Sequence, residues 1–183
     1  MGGRAGTSAS PLYTNPPPTM ADKITDLRGL LLHGLKDMYY AEKQSKKVIS
    51  DMANKASNAE LKKQLQEHGA HSEKHIERLD KVFEMLGEKA EGVTCEAMDG
   101  ILKEAKGLLS EIEDAETRDA AIVFSAQAID HYEITRYGSL ATFAERLGHQ
   151  EASDLLGDSL GEEEEADERL SQLAESTLNQ KAA

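Results

Sequence analysis

Tryptophan is absent from this 183-residue chain, aromatic side chains make up only 4% of it, and there is a single cysteine, Cys95. So few aromatics disfavour a sandwich or barrel, whose strands draw on aromatic and β-branched residues, and suit a core of Leu, Ile and Ala between helices. One cysteine cannot close an internal disulfide, so nothing signals an oxidising compartment, and a cytoplasmic location is expected. No apolar run approaches the roughly 20 residues that span a bilayer, and no hydrophobic N-terminal stretch resembles a secretory signal. Basic residues are scarce as well: 21 Lys and Arg stand against 34 Asp and Glu, for a formal net charge of -13. That balance argues against nucleic acid gripped through its phosphates and against docking on anionic lipid. Cations are the favoured ligands.

Proline is missing from all but the start, where Pro11, Pro16, Pro17 and Pro18 mix with Gly2, Gly3, Gly6 and several Ser and Thr. This is the composition of a tail. Met20 is followed at once by helical patterning, so an added leader, an upstream start and a natural flexible arm all fit. The expected organisation is a tail over residues 1–22, one helical domain over 23–178 and a short C-terminal tail over 179–183, with a length that asks for a single core.

Four long periodic segments and one shorter one follow. The first, roughly residues 24–54, carries the stripe Leu31, Leu35, Met38, Glu42, Ser45, Ile49 and Met52 at steps of three and four. Asn58 is a fitting cap for the second, roughly 59–86, whose stripe reads Leu61, Leu65, His68, Ser72, His75, Leu79, Val82 and Leu86, with His71 beside it. Gly87 and Gly92 mark a break before a shorter segment from about Cys95 to Leu109. The third long helix runs from near Thr117 to about Leu147, with Gly148 as terminator; Ile122, Ala126, Ile129, Glu133, Leu140, Ala144 and Leu147 share one face. The fourth, roughly 150–178, has the stripe Leu156, Leu160, Glu163, Asp167, Leu170 and Ala174. Short links make helices one and two, and three and four, antiparallel neighbours. About 30 residues between the pairs give one long crossover, unlike a simple up-down-up-down chain.

Polar residues interrupt every one of these apolar faces. Taken singly, each has an ordinary explanation: Glu42 at a stripe edge, His75 as a hydrogen-bonded core histidine, the run Glu162 to Glu168 as a solvated face. Their coincidence is harder to dismiss. Glu42, His68, His75, Glu133, Glu163 and Asp167 all fall near the middle of their helices, and in an antiparallel bundle middles meet at one level. Buried carboxylates are costly unless paired or holding metal. Residues at i and i+3 or i+4 share a face, so Asp130 with Glu133, Glu163 with Asp167, and His68 with His71 can each aim two donors at one point. Carboxylates with imidazoles suit iron or manganese better than zinc, and several acids can neutralise and bridge two divalent ions. Tyr137, one turn beyond Glu133, is placed either to hydrogen-bond a ligand or to pack. No phosphate-binding glycine loop and no Ser-His-Asp arrangement stands out.

The segments LLHGLKDMYYAEKQ, LQEHGAHSEKHIERLDKVFEMLG, GVTCEAM, DHYEITRYGSL and LGEEEEADERLSQLA, in this order, resemble the YciE/YciF stress-protein family of the ferritin-like superfamily. The resemblance covers nearly everything after Met20. It implies an all-α, ferritin-like four-helix bundle with one long crossover carrying a short extra helix, a homodimer, and a carboxylate-bridged di-iron centre similar to that of rubrerythrins. Carried over by residue, Glu42 is the first-helix carboxylate, and Asp130 with Glu133 resembles the third-helix acid pair. The family commonly has Glu where Asp130 stands, one methylene longer. The superfamily's Glu-x-x-His pattern is absent from helices two and four, which offer His68 and His71, and Glu163 and Asp167, instead. An altered ligand set, a single metal and a degenerate site are all consistent with that departure.

The resulting expectation is a di-metal carboxylate protein of stress response. Its metal ligands are drawn from Glu42, His68, His71, Asp130, Glu133, Glu163 and Asp167, with two iron ions or manganese, and it reacts with oxygen or peroxide. The rival expectation is a non-catalytic helical protein that works by association around a degenerate site.

Overall fold

In the computed structural model, which describes residues 23–183, the chain is a bundle of long helices with no strand among the described residues. The expected tail over residues 1–22 lies outside them. The elements are α1 (Leu27–Lys55), α2 (Ala59–Met85), α3 (Glu96–Glu111), α4 (Ala115–Arg146), α5 (Gln150–Leu173), one π-helical turn (Ala174–Leu178) and a short α6 (Asn179–Ala182). Among the described residues, no helix is long and apolar enough to cross a membrane.

Polar side chains start the helices where their first amides lack intrahelical partners. Asp26 accepts from the Gly29 amide, Asn58 from those of Glu60 and Leu61, and Asp114 from that of Thr117. Gly148, at φ +82°, ends α4 in the left-handed conformation that favours glycine. The Ala56–Asn58 turn makes α1 and α2 antiparallel partners, and the Leu147–His149 turn does the same for α4 and α5. The two hairpins pack α2 beside α5 and α1 beside α4, while α3, within the crossover, lies across α4 and α1.

The crossover approaches α1 closely. A Cβ on Gly92 would stand 3.1 Å from Cβ of Tyr40 and 3.2 Å from its Cα, so a larger residue there would require the crossover and α1 to separate by a few tenths of an ångström. The α1–α2 turn is anchored from across the bundle by a buried acid, Asp119 of α4, which accepts from the Ser57 and Asn58 amides at 2.8 Å each. Asp119→Ala strands both amides and is expected to lower stability by about 1–3 kcal/mol. Denaturant unfolding of the variant measures this, and an unchanged midpoint would refute it.

Residues 179–183, expected as a tail, instead carry the helix onward to Ala182. The intervening π turn is wider than an α-helical one, so residues four apart drift less around the axis, and Ala174 and Leu178 both stay in the core.

Leucines, isoleucines, valines and methionines fill the two ends of the bundle interior: Leu61, Leu65, Ile122 and Met52 toward one end, Leu35, Leu79, Val82 and Leu140 toward the other. Between them lies a belt of buried polar groups comprising Glu42, Ser45, His68, Ser72, His75, Asp130, Glu133, Ser159 and Glu163.

Candidate metal centre

Each long helix contributes to the belt from the middle of its buried face. α1 supplies Glu42 and Ser45, α2 supplies His68 and His75 two turns apart, α4 supplies Asp130, Glu133 and Tyr137, and α5 supplies Glu163. Their donor atoms form two groups. Glu42, His75 and Glu163 make one; His68, Asp130 and Glu163 make the other; within each group the ligand atoms lie within 4.8 Å of one another. Glu163 belongs to both. Its Oε1 is 3.4 Å from His68 Nε2 and 3.3 Å from His75 Nδ1. Nδ1 of His68 faces Asp130 Oδ1 at 3.6 Å, and Nδ1 of His75 is 3.0 Å from Glu42 Oε1.

Two hydroxyls orient the acids. Tyr137 is fully buried and donates to Glu42 Oε1 at 2.6 Å, and Ser45 donates to Glu133 Oε1 at 2.9 Å. Beyond these, the carboxylates are short of partners. Glu42 Oε2, Glu133 Oε2, both oxygens of Asp130 and both of Glu163 are buried without a hydrogen-bond donor, as is Nδ1 of His68. A buried unsatisfied polar atom ordinarily costs about 1–3 kcal/mol, and more when charged. So many acceptor oxygens converging on one interior could hold a metal ion, and a set of oxygens with imidazole nitrogens, without thiolate, is chemically compatible with iron or manganese.

Burial and mutual repulsion reshape the acid–base behaviour. Burial raises Asp130 to about 8 despite the opposing pull of His68, and burial with the charges of Glu42, Glu163 and Asp130 holds Glu133 well above the carboxylate range. Burial alone would lower His68, but the charges of Glu163, Asp130 and Glu42 outweigh it and raise the ring to about 10. For His75 too, burial is outweighed, by its bond to Glu42 and the neighbouring carboxylates, and the ring is raised. Glu163 moves the other way: burial is overcome by the facing histidines, and it stays below its usual value. Burial and the facing charges thus favour the protonated form of both histidines and disfavour the ionised form of Asp130 and Glu133.

Of the expected ligands, Glu42, His68, Asp130 and Glu163 come together in the two groups, and Glu133 is buried beside them, with Glu42, Glu163 and Asp130 as its charged neighbours. His71 and Asp167 lie outside. The His71 ring is only part-buried, its centroid 6.5 Å from that of His75. Asp167 faces outward, accepting from Gln127 at 2.8 Å and standing 3.4 Å from exposed His131. His75, open between ligand and core in the sequence, is a member of a group. Ser45 lies on the first stripe and Glu162 in the acidic run expected as a solvated face, without a part at the site for either, and Arg78 carries no expectation at all. Arg78 sits three residues after His75, on the same helix face, a spacing that could have drawn attention to it. Its two bonds to Glu162, at 2.8 and 2.9 Å, are the first cause that holds that carboxyl down at about 2.

Comparison with known proteins places the chain. The family described as "Domain of unknown function (DUF892)" matches residues 26–183. Protein YciF of Escherichia coli strain K12 is 38% identical over 157 residues, spanning 85% of this chain and 95% of that protein. Its crystal structure, described as that of a stress protein, superposes with a TM-score of 0.81 over 85% of this chain and 99% of that one, at 37% identity. YcfI of Rhodopseudomonas palustris, described as a candidate structural protein, also gives a TM-score of 0.81, at 46% identity over 84% of this chain and 98% of that one.

Proposed function

The chain belongs to the DUF892 family of YciF-like proteins, and from that footing we propose that its buried belt is a two-metal centre, with iron as the metal, that reacts with oxygen or peroxide in a stress response. The observation that carries this reading is Glu163, one buried carboxylate common to two groups of donors, with Oε1 facing two histidine rings and neither oxygen in a hydrogen bond. Glu42, His75 and Glu163 would hold one ion, and His68, Asp130 and Glu163 the other, with Glu133 beside both. The charge balance agrees: Glu42, Asp130, Glu133 and Glu163, when ionised, match two divalent cations with both histidines neutral. When bound, iron would supply electrons to the oxidant.

The chain's own groups have definable parts. Tyr137 fixes the Glu42 carboxylate through its 2.6 Å bond, and Ser45 fixes Glu133. On metal binding, His68 and His75 would each have to release a ring proton, because the nitrogens that face the acids are the ones that would hold a cation. The leucine and isoleucine layers on either side keep bulk water from the belt. The working unit is proposed to be a homodimer, supported by family resemblance; sedimentation equilibrium measures it.

Anaerobic loading with ferrous iron, removal of excess and metal analysis test the reading. The expected result is about two ions per chain, with a melting temperature that drops when a chelator is added, since an ion bound only by the folded state stabilises it. Consumption of peroxide by the loaded protein tests the reaction itself. Metal-free protein after loading, with chelator-independent melting, would instead favour a helical stress protein that acts by association. The ion pairs His75–Glu42 at 3.0 Å and His68–Glu163 at 3.4 Å give that second reading its physical basis, because protonated histidines can neutralise part of the belt unaided.

A further inference from the structure

The seam between α2 and α5 holds a polar arrangement that the two donor groups do not use. His75 is fully buried, and its two ring nitrogens look in opposite directions. Nδ1 faces the belt, 3.0 Å from Glu42 and 3.3 Å from Glu163; Nε2 faces outward, 2.9 Å from Glu162 Oε2. Glu162 is in turn gripped by Arg78, whose Nη1 and Nη2 donate to Oε2 and Oε1 at 2.8 and 2.9 Å. Arg78 Nη1 also donates to the buried Ser159 hydroxyl at 3.3 Å.

This geometry restricts His75 in a specific way. A bidentate guanidinium–carboxylate pair is planar and resists rotation about the carboxylate, unlike a pair with a single contact. A carboxylate so held offers only acceptor oxygens, so Nε2 must carry the hydrogen of the 2.9 Å bond. In the neutral ring, the form that a cation requires, the nitrogen with the lone pair is then Nδ1, the one turned inward. Turning the ring over would break the bond to Glu162 and aim a carbon at Glu42. We propose that Arg78 and Glu162 are positioning residues that lock the His75 imidazole with Nδ1 turned to the buried cluster, so that this nitrogen is the one that donates to a divalent cation once its proton has left. The inference rests on the two-metal reading for its purpose, but the orientation it asserts can be measured without metal.

Cobalt(II), whose visible absorption reports its ligands, is titrated into the purified full chain in parallel with nitrogen-15 spectroscopy of the histidine rings in metal-free protein. Arg78→Met is expected to weaken one of two cobalt-binding steps by about 10–100-fold, the usual effect of removing a group that orients a metal-binding histidine. It should alter the absorption of that ion and leave the other step unchanged. In the metal-free variant, the His75 Nε2–H signal should shift and exchange faster with solvent. Unchanged affinities, absorption and ring signals in Arg78→Met would overturn the proposal. If wild-type protein takes up neither cobalt nor iron, the two-metal reading fails, and the ring signals alone then decide the clamp: displaced in the variant, it stands; unmoved, it falls. Should Arg78→Met not fold, Glu162→Gln carries the same measurements, since it preserves shape while weakening the grip of Arg78.

Discussion

Glu163→Ala is expected to abolish uptake of both metal ions, whereas Glu42→Ala and Asp130→Ala each lose one. The difference follows from membership: Glu163 alone belongs to both donor groups. The same substitution should also weaken the chelated protein. Without Glu163, two buried histidines lose a facing carboxylate, and breaking a buried ion pair by deleting one partner costs about 3–5 kcal/mol, or roughly 10 °C in a domain of this size. Glu133→Gln should behave oppositely. Burial and three neighbouring acids disfavour the ionised form of Glu133, and the amide oxygen of Gln still accepts from Ser45. The chelated Glu133→Gln protein is expected to gain about 0.5–2 kcal/mol, the usual return from relieving a strained functional position, while its metal uptake falls. Calorimetry and metal analysis on the two variants check both signs. Glu163→Ala holding two ions, or Glu133→Gln melting below wild type when chelated, would contradict the assignment.

In chelated protein, the melting temperature should fall as pH rises from about 6.5 to 10. His68, ordinarily at 6.5, is raised to about 10, and Asp130, ordinarily at 3.8, to about 8. Both bind their protons more tightly in the folded chain. The stability they contribute is therefore complete below the unfolded values and is lost as pH climbs through the folded ones. Glu162 has the reverse sign: lowered from 4.5 to about 2, it contributes above 4.5 and loses that contribution only as pH falls toward 2. A decline of about 5–10 °C across the alkaline window corresponds to a few kcal/mol at this chain length. Loaded protein should show the slope flattened or inverted, because the ions compete with the same protons and bind better when those protons are scarce. Calorimetric scans at pH 6.5, 8 and 9.5, with and without chelator, make the comparison. A flat profile in the chelated sample would count against protons held on His68 and Asp130.

The helices, their antiparallel pairing and most of the belt were legible in the sequence because polar residues sat on otherwise apolar stripes. Glu42, His68, Ser72, His75 and Glu133 are all buried where the three- and four-residue steps put them. α5 was less readable. Its apolar spacing runs through Leu160 and Asp167, but the buried positions are Ser159 and Ala166, with Leu160 only part-buried. Small residues leave little mark on a hydrophobic pattern, so Leu156, Glu163, Leu170 and Ala174 keep their expected places while Ser159 and Ala166 take those of Leu160 and Asp167, and Asp167 turns outward. His71 missed the groups for a related reason. Pairing residues at i and i+3 presumes a centre at one point, whereas His68 and His75, seven residues apart, serve two levels joined by Glu163. Nothing in a single helix announces that separation. The Arg78–Glu162 pair depends on the α2–α5 alignment, which no local spacing encodes.

The polar belt also bears on how the helices find their alignment. Apolar layers of similar residues above and below would tolerate α5 sliding along α2 by a turn, since one leucine replaces another at little cost. With the belt in place, such a slip would carry Glu163 among leucines and leave His68 and His75 facing apolar side chains, stranding charge in hydrocarbon. The acids and histidines thus act as a registration key, selecting one axial setting of the bundle from several that hydrophobic packing alone would accept.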